Sequence, residues 1–456
     1  MPECRSSGPP NGSSRSVVPD LTVGATACRP SGPQVAWTPP PTNVAGRLAQ
    51  TAAEMPDALA VVVPKRRDRK GNYRYARYTF RELDQDSDRL ARGLRRLGVQ
   101  PGTRLALLVR PGFDFISLVF GLFKAGAVGI LIDPGMGRRN LIACLEESRP
   151  EGFVAVPLAH AVRLLFRRRF PESRWHVTVG RRWFWGGQTI DQLRGEAWSG
   201  SELAATTAED PAAIIFTTGS TGPPKGVLYR HGNFDAQVDE LREFYGIQRG
   251  EVDLPGFPLF ALFNCALGVT TVVPDMDPTR PARVDPQKIV AAVRDWSVTQ
   301  AFGSPAIWNR VGPYCQVHGI KLPTLRRVLS AGAAVPAHVL ESMRACIHPQ
   351  GDVQTPYGAT EALPVASISG GEVLGETAAL TREGAGVCVG RRFPGIEWKV
   401  IQMVDGPIES VDQAVEIPAS EIGELIVRGP VVTREYLNRP QANALGKIAD
   451  GDAIWH

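Results

Sequence analysis

Apolar Leu83, Leu90, Leu94 and Leu97 recur at helical spacing within "YTFRELDQDSDRLARGLRRLGVQPGTRLALLV", and the pattern then tightens to a short apolar run. Thr79 followed by Glu82 three residues on is a capping-box signature, which predicts a helix start there. "GVQPG" turns the chain into the predicted strand "RLALLV". The same alternation continues through "DFISLVFGLFKAGAV" (helix), "GILIDP" (strand), "RRNLIACLEESRP" (helix) and "GFVAV" (strand). Before it, a helix-like segment from Val44 leads to the strand "ALAVVVP". Short apolar strands separated by amphipathic helices predict a parallel sheet in an α/β protein.

The alternation resumes at Ala212 and runs past Pro349; from about Gly390 the texture becomes β, in "IEWKVIQMV" and "AVEIPASEIGELIVRGP". The expected organisation is a Pro/Gly/Ser-rich disordered tail over 1–42, an α/β core over 43–389 and a β-rich subdomain over 390–456. No internal repeat is visible. The most membrane-like stretch, "FISLVFGLFKAGAVGILI", is broken by Lys124 and Gly126, so it reads as a buried helix and a buried strand. "RLLFRRRF" (Arg163 to Phe170) mixes bulky apolar and basic residues; it reads as a solvated helix face, with contact to an acidic partner or lipid headgroups as the alternative.

A chain of 456 residues is too long for one ordinary core. Its 43% hydrophobic and 21% charged residues fit a globular protein, and a net charge of +5 gives no argument for nucleic acid. Seven scattered cysteines, none in a C-x-x-C pair, form neither a disulfide framework nor a zinc site. With no secretory signal in the first forty residues, they point to a cytoplasmic protein.

Chemistry enters with "IIFTTGSTGPPKG". The predicted strand "AAIIF" delivers a loop of Thr217, Thr218, Gly219, Ser220, Thr221 and Gly222, followed by Lys225. Glycines that let backbone N–H groups converge, hydroxyl donors and a lysine suit a phosphate. The spacing excludes the G-x-x-x-x-G-K-[ST] loop, because Pro223 and Pro224 separate Gly222 from Lys225 and Gly226 follows. Downstream, "VLSAGAAVP" is a strand ending in a small-residue turn, and "TPYGATEALP" gathers Tyr357, Gly358, Thr360 and Glu361.

Taken in order, "TTGSTGPPKG", "SAGAAVP", "YGATE" and "GELIVRGP" resemble the motifs of the adenylate-forming superfamily of acyl-CoA synthetases, adenylation domains and luciferases, over roughly residues 45–440. The resemblance implies the large N-terminal domain of that fold: layered parallel sheets with helices plus a small β subdomain. It also implies ATP and Mg²⁺. Thr217 to Gly222 would hold the phosphates and Lys225 would assist. Gly332, Ala333, Tyr357 and Gly358 would frame the nucleotide, Thr360 would bond the α-phosphate and Glu361 would help hold Mg²⁺.

"VDLPGFPLFALFNCALGVTTVVPDMDPTRPARVDP", with "VTQAFGSPA", "VLSAGAAVPAHV" and "HVTVGRRWFWGG", is similar to the olefin β-lactone synthetase branch. Ala261 stands where many superfamily members carry a histidine. The run "FPLFALFNCALGV" reads either as a lining for alkyl chains or as a buried helix. The branch implies activation of a long-chain β-hydroxy acid and ring closure to a β-lactone, with possible assembly with other enzymes of such a pathway. Alternatives are an AMP-forming fatty acyl-CoA ligase and a truncated, non-catalytic nucleotide-binding protein. The ribose-gripping T-G-D turn, hinge and C-terminal domain with its lysine are not matched before His456; "DGDAIWH" reads as a turn. The C-terminal small domain is therefore expected to be missing, with weak or no adenylation by this chain alone.

Overall fold

The computed structural model describes residues 42–68, 73–195, 200–216, 223–418 and 420–456. The expected disordered tail, all but Thr42, and the Thr217–Gly222 loop lie outside the described residues.

The first half of the chain forms strands β1 (Leu59–Arg67), β2 (Tyr73–Thr79), β3 (Arg104–Leu108), β4 (Val128–Leu131), β5 (Gly152–Ala155), β6 (Trp175–Thr178), β7 (Gln188–Thr189), β8 (Pro211–Phe216) and β9 (Gly226–Arg230). It is followed by β10 (Val252–Pro255), β11 (Thr270–Val272), β12 (Gln300–Gly303), β13 (Arg327–Ser330), β14 (Asp352–Ala359), β15 (Ala362–Ser369) and β16 (Arg391–Arg392). Two small hairpin-like pairs end it, β17 (Glu397–Ile401) with β18 (Glu424–Arg428), and β19 (Ile448–Asp450) with β20 (Ala453–Trp455). Gly451 and Asp452 form the turn between the last two, where "DGDAIWH" predicts one. The helices up to the middle of the chain are α1 (Gly46–Glu54), α2 (Phe80–Arg96), α3 (Phe113–Ala125), α4 (Arg138–Ser148), α5 (Pro157–Leu165), α6 (Ile190–Arg194), α7 (His231–Tyr245) and α8 (Phe260–Leu267).

Among the described residues the strands make a nine-stranded sheet, ordered β16-β15-β14-β13-β12-β10-β11-β1-β2, and a seven-stranded sheet, ordered β7-β6-β5-β3-β4-β8-β9. Both have parallel interiors, as the helix–strand alternation predicts. Their edges differ from that expectation: β2, β9, β15 and β16 pair antiparallel. Between β14 and β15 the chain reverses over two residues, and so tight a reversal, unlike a helical crossover, can only return it antiparallel.

The capping box forms as predicted: the Thr79 hydroxyl accepts from the Glu82 N–H at 3.2 Å, and the Glu82 carboxylate accepts from the Thr79 N–H at 2.7 Å. Leu83, Leu90 and Leu94 then point to one side and are fully buried. They share a continuous core with Leu118 and Leu122 of α3, Val61 of β1 and Leu105 of β3, so the helix pair joins both sheets. Each such leucine contributes about 2 kcal/mol.

Helix α3 is buried along all of Phe115 to Ala125, which explains its apolar run. No helix among the described residues is long and apolar enough to cross a membrane. Lys124, which breaks that run, is only 1% exposed. Its Nζ donates to Asp84 Oδ1 at 2.6 Å, Asp88 Oδ1 at 2.8 Å and the Asp84 carbonyl at 2.9 Å. The two carboxylates lie one turn apart on α2, so the cation pins the two helices at a fixed register.

Lys124→Met removes the cation and leaves Asp88 buried without its partner. It should destabilise the protein by about 3–5 kcal/mol in urea unfolding. A change under about 1 kcal/mol would mean that the ion pair is replaceable by packing.

Candidate active site

Strands β12, β13 and β14 are parallel and in register, with Leu329 opposite Gln354. Their C-terminal ends are where an open parallel sheet offers a ligand crevice. Ser304 and Ser330 sit at the ends of β12 and β13, and each has a buried hydroxyl with no hydrogen-bond partner among the described residues. Just beyond Ser330 the chain turns at Gly332, whose φ of +91° an L side chain rarely adopts. Three residues past the Leu329–Gln354 pair, the two strands have reached Gly332 and Tyr357 at the same end of the sheet. Ala333 and Tyr357 are exposed there.

Strand β14 pairs with β15 through a tight reversal at Thr360 and Glu361. A Cβ on Gly358 would lie 2.7 Å from the Ala362 carbonyl, so only glycine lets these strands close. The reversal is held from outside by two elements remote in sequence. Tyr229 of β9 donates its hydroxyl to the Thr360 carbonyl at 2.5 Å. Thr433 gives its N–H and hydroxyl to the Glu361 carbonyl, at 2.8 and 2.9 Å.

The segment 432–437 also bridges to β9. Val432 pairs with Ala362 and Tyr436 with Val227, and the Leu437 N–H donates to Gly226 at 2.7 Å. Gly226 directly follows Lys225, so this one extended stretch brings the end of the phosphate-type loop beside Glu361. The Tyr436 hydroxyl donates to Glu361 Oε1 at 2.7 Å, and the Lys225 ammonium lies 4.8 Å from the centre of the Tyr436 ring. Burial, together with the neighbouring Glu361 anion, pushes the Tyr436 phenol well above its usual range, so it stays a donor.

A second cation faces the same ring. Lys447 Nζ is 5.5 Å from the ring centre and donates to the Thr433 carbonyl at 2.6 Å. Burial lowers its pKa to about 7, against an opposing pull from Glu361. His456 Nδ1 lies 2.6 Å from the Gly446 carbonyl; burial, then Lys447, lowers it to about 4, so it is neutral at pH 7.

Of the residues singled out in the sequence, Lys225, Thr360 and Glu361 are thus brought together. Tyr357 and Gly358 line a cleft of about 550 Å³, together with β18 residues such as Leu425 and Val427 and with Gly446 and His456. Gly332 and Ala333 reach the same end of the sheet but do not line this cleft. Thr217 to Gly222 lie outside the described residues. The "FPLFALFNCALGV" run is largely the buried helix α8; Ala261 also lines an apolar cavity of about 20 Å³, with Phe115, Ile116 and Met276. That is room for about one water, not an alkyl chain. Sequence reasoning missed Thr433, Tyr436, Lys447 and His456. The one available signal was that "YLNRP" continues the strand-rich "GELIVRGP" text.

Comparison with known proteins gives the arrangement a context. Residues 48–437 match the family described as AMP-binding enzyme. An olefin β-lactone synthetase of Stenotrophomonas maltophilia is 47% identical over 414 residues, 90% of this chain and 74% of that protein. One from Xanthomonas campestris pv. campestris is 45% identical over 90% of this chain and 73% of its own length. The fold is similar to a long-chain-fatty-acid-CoA ligase of Archaeoglobus fulgidus, with TM-score 0.75 and 18% identity over 92% of this chain and 81% of that one. It also resembles the N-terminal domain of FACL13 from Mycobacterium tuberculosis, with TM-score 0.71 and 19% identity over 91% and 99%. Those folds are the layered sheets and helices that the sequence motifs imply, and the chain belongs to the AMP-binding enzyme family.

Proposed function

We propose that the protein activates the carboxylate of a long-chain β-hydroxy acid with ATP and closes the product to a β-lactone. The carrying observation is the convergence of Lys225, Tyr436 and Glu361 beside the Tyr357 cleft, in a chain 45–47% identical to olefin β-lactone synthetases. A carboxylate has no good leaving group. Attack of its oxygen on the α-phosphorus of ATP expels pyrophosphate and makes an acyl-adenylate, whose leaving group is AMP. The substrate's own β-hydroxyl oxygen then attacks the acyl carbon, AMP leaves and the hydroxyl proton passes to a base. Because that nucleophile is tethered, its effective concentration offsets part of the four-membered ring's strain.

In this reading Thr217, Thr218, Gly219, Ser220, Thr221 and Gly222 cradle the phosphates, and Lys225 neutralises charge as pyrophosphate departs. Gly332, Ala333 and Tyr357 frame the adenine, Gly358 lies in the same nucleotide site, and Thr360 bonds the α-phosphate. Among the described residues no three His, Cys, Asp or Glu side chains converge on one point. Glu361 would thus hold Mg²⁺ together with phosphate oxygens and water, the usual manner for that ion. Magnesium supplies charge neutralisation on the phosphates when bound. Lys447, half-deprotonated at neutral pH, would regain its proton against an anionic nucleotide. The buried or unpaired cysteines Cys144, Cys265, Cys315, Cys346 and Cys388 suit a reducing cytoplasm. Other enzymes of a lactone pathway are the natural assembly partners.

The main test incubates the full-length gene product, read to its natural stop, with ATP, Mg²⁺ and a long-chain β-hydroxy acid, with and without CoA, and identifies products by NMR. A β-lactone formed without CoA is expected. An acyl-CoA and no lactone would favour the ligase reading, which relatives such as a feruloyl-CoA synthase of Amycolatopsis, 28% identical over 83% of this chain, keep in view. No ATP–pyrophosphate exchange at all would count against activation.

Tyr436→Phe removes the donor to a buried carboxylate and should lower kcat about 10–100-fold, equivalent to roughly 1.5–3 kcal/mol, with little change in fold. Unchanged kcat would separate Glu361 from the chemistry. Lys447 binds fewer protons folded than unfolded between pH 7 and its ordinary lysine value, so its burial cost is full below pH 7 and fades as pH rises. Lys447→Met should therefore stabilise the protein by on the order of 3–5 kcal/mol at about pH 6, and by nothing near about pH 10.5. Parallel stability curves for parent and variant would show that Lys447 titrates normally.

A further inference from the structure

Residues 152–190 hold seven arginines and one acidic residue, Glu172. Their formal charge of +6 exceeds the +5 of the whole chain, so the molecule's positive charge is concentrated here. The segment covers β5, α5, the single turn Arg167–Arg169, β6 and the loop 179–187.

Helix α5 presents Leu158, Val162 and Leu165, spaced four and three residues apart on one stripe, to solvent, and Leu165 is 78% exposed. Beside it stands the loop after β6. Trp185 is its buried anchor: its ring lies 5.5 Å from His160 of α5, and its Nε1 donates to the Thr178 hydroxyl at 2.9 Å. Trp183 and Phe184 pack on that anchor, at 5.2 and 5.4 Å, yet point outward, Phe184 at 83% exposure. Two bulky aromatics are thus held out in water by a fixed support. Arg181 and Arg182 directly precede them, Arg167 and Arg168 follow the end of α5, and all four are exposed and make no ion pair among the described residues. Arg163 and Arg169 are occupied elsewhere, with His176 and Glu146.

We propose that this face docks the protein on an anionic lipid bilayer. A helix with an apolar stripe, flanked by tryptophan and phenylalanine and accompanied by exposed arginines, is the chemistry of an interfacial anchor. An acidic protein would satisfy the arginines but leave Leu158, Leu165, Trp183 and Phe184 without a reason to be exposed together. A second copy of this face would bring +6 against +6, so charge complementarity selects an anionic, apolar-cored partner. The start of α5 and the aromatic loop 179–187 lie at the C-terminal ends of β5 and β6, the same end of the seven-stranded sheet at which β8 finishes at Phe216. Four strand spacings separate β6 from β8, roughly 19 Å. A sparingly soluble acid dissolved in the bilayer would therefore be presented on the working side of the sheet.

The test is co-sedimentation of the full chain with vesicles of phosphatidylcholine alone, and of phosphatidylcholine with about 30 mol% phosphatidylglycerol. Binding is expected to the anionic vesicles only, to weaken between about 0.1 and 0.5 M salt, and to blue-shift tryptophan fluorescence. Trp183→Ser with Phe184→Ser, and separately Arg167→Ala with Arg168→Ala, should each weaken binding roughly tenfold or more. Both side-chain pairs are exposed, so thermal melting should be unchanged, and ATP–pyrophosphate exchange in vesicle-free buffer should be unaffected. That exchange assay separates failure of this proposal from failure of the adenylation reading. Equal binding to both vesicle types, or no binding to either, overturns the proposal. So does self-association in gel filtration that the Trp183/Phe184 variant abolishes, which would assign the face to a second copy. Capture by soluble poly-glutamate as strong as by anionic vesicles would assign it to an acidic protein.

Discussion

A carboxylate as buried as Glu361, at 9% exposure, is costly unless donors face it. Here its backbone is gripped by Thr433 and its side chain by Tyr436, and both come from a single extended stretch. That stretch also ties down β9 through Leu437 and Gly226. The hold on one anion therefore fixes the relative placement of three chain segments that begin more than seventy residues apart. The rest of the site follows: Lys225 is carried to its place by the strand that the stretch holds, and Tyr357 by the strand that the turn closes.

The electrostatics around this anchor are unbalanced in a useful direction. Lys225 and Lys447 both approach the Tyr436 ring, whose face attracts cations, and Glu361 is the nearby anion. Burial leaves Lys447 reluctant to hold its proton and keeps His456 neutral. A polyanion bound there would offset both the cation repulsion and the cost of burying the Lys447 charge. The interior is built short of negative charge, which a phosphate chain would supply.

Much of the fold was legible because its signals are local. Thr79 and Glu82 are three residues apart, and the leucines of α2 repeat within one helix, so short windows contain the whole cause. The antiparallel edges were not legible, because the reversals at β9 and β15 carry no Asn-Gly or Asp-Gly turn to announce them. Lys124 was visible as a flaw in an apolar run; its meaning required Asp84 and Asp88 on another helix. In the site, the "YGATE" and "PPKG" motifs named Glu361 and Lys225, but Tyr436 lies 75 residues beyond Glu361 and is joined to it only by folding. The residues that touch by folding alone are the ones a linear reading loses.

The two bridges of the 432–437 stretch, Val432 to Ala362 and Tyr436 to Val227, are separated by three residues, 433–435. In extended chain, removing one residue turns every following side chain to the opposite face. A deletion there would break one bridge and swing the Tyr436 ring off Glu361. The crossing from β17 to β18 is bridged as well, Glu416 to Ile401 and Ser410 to Ala449, but neither bridge reaches Glu361. The 432–437 stretch can therefore change its letters but not its length.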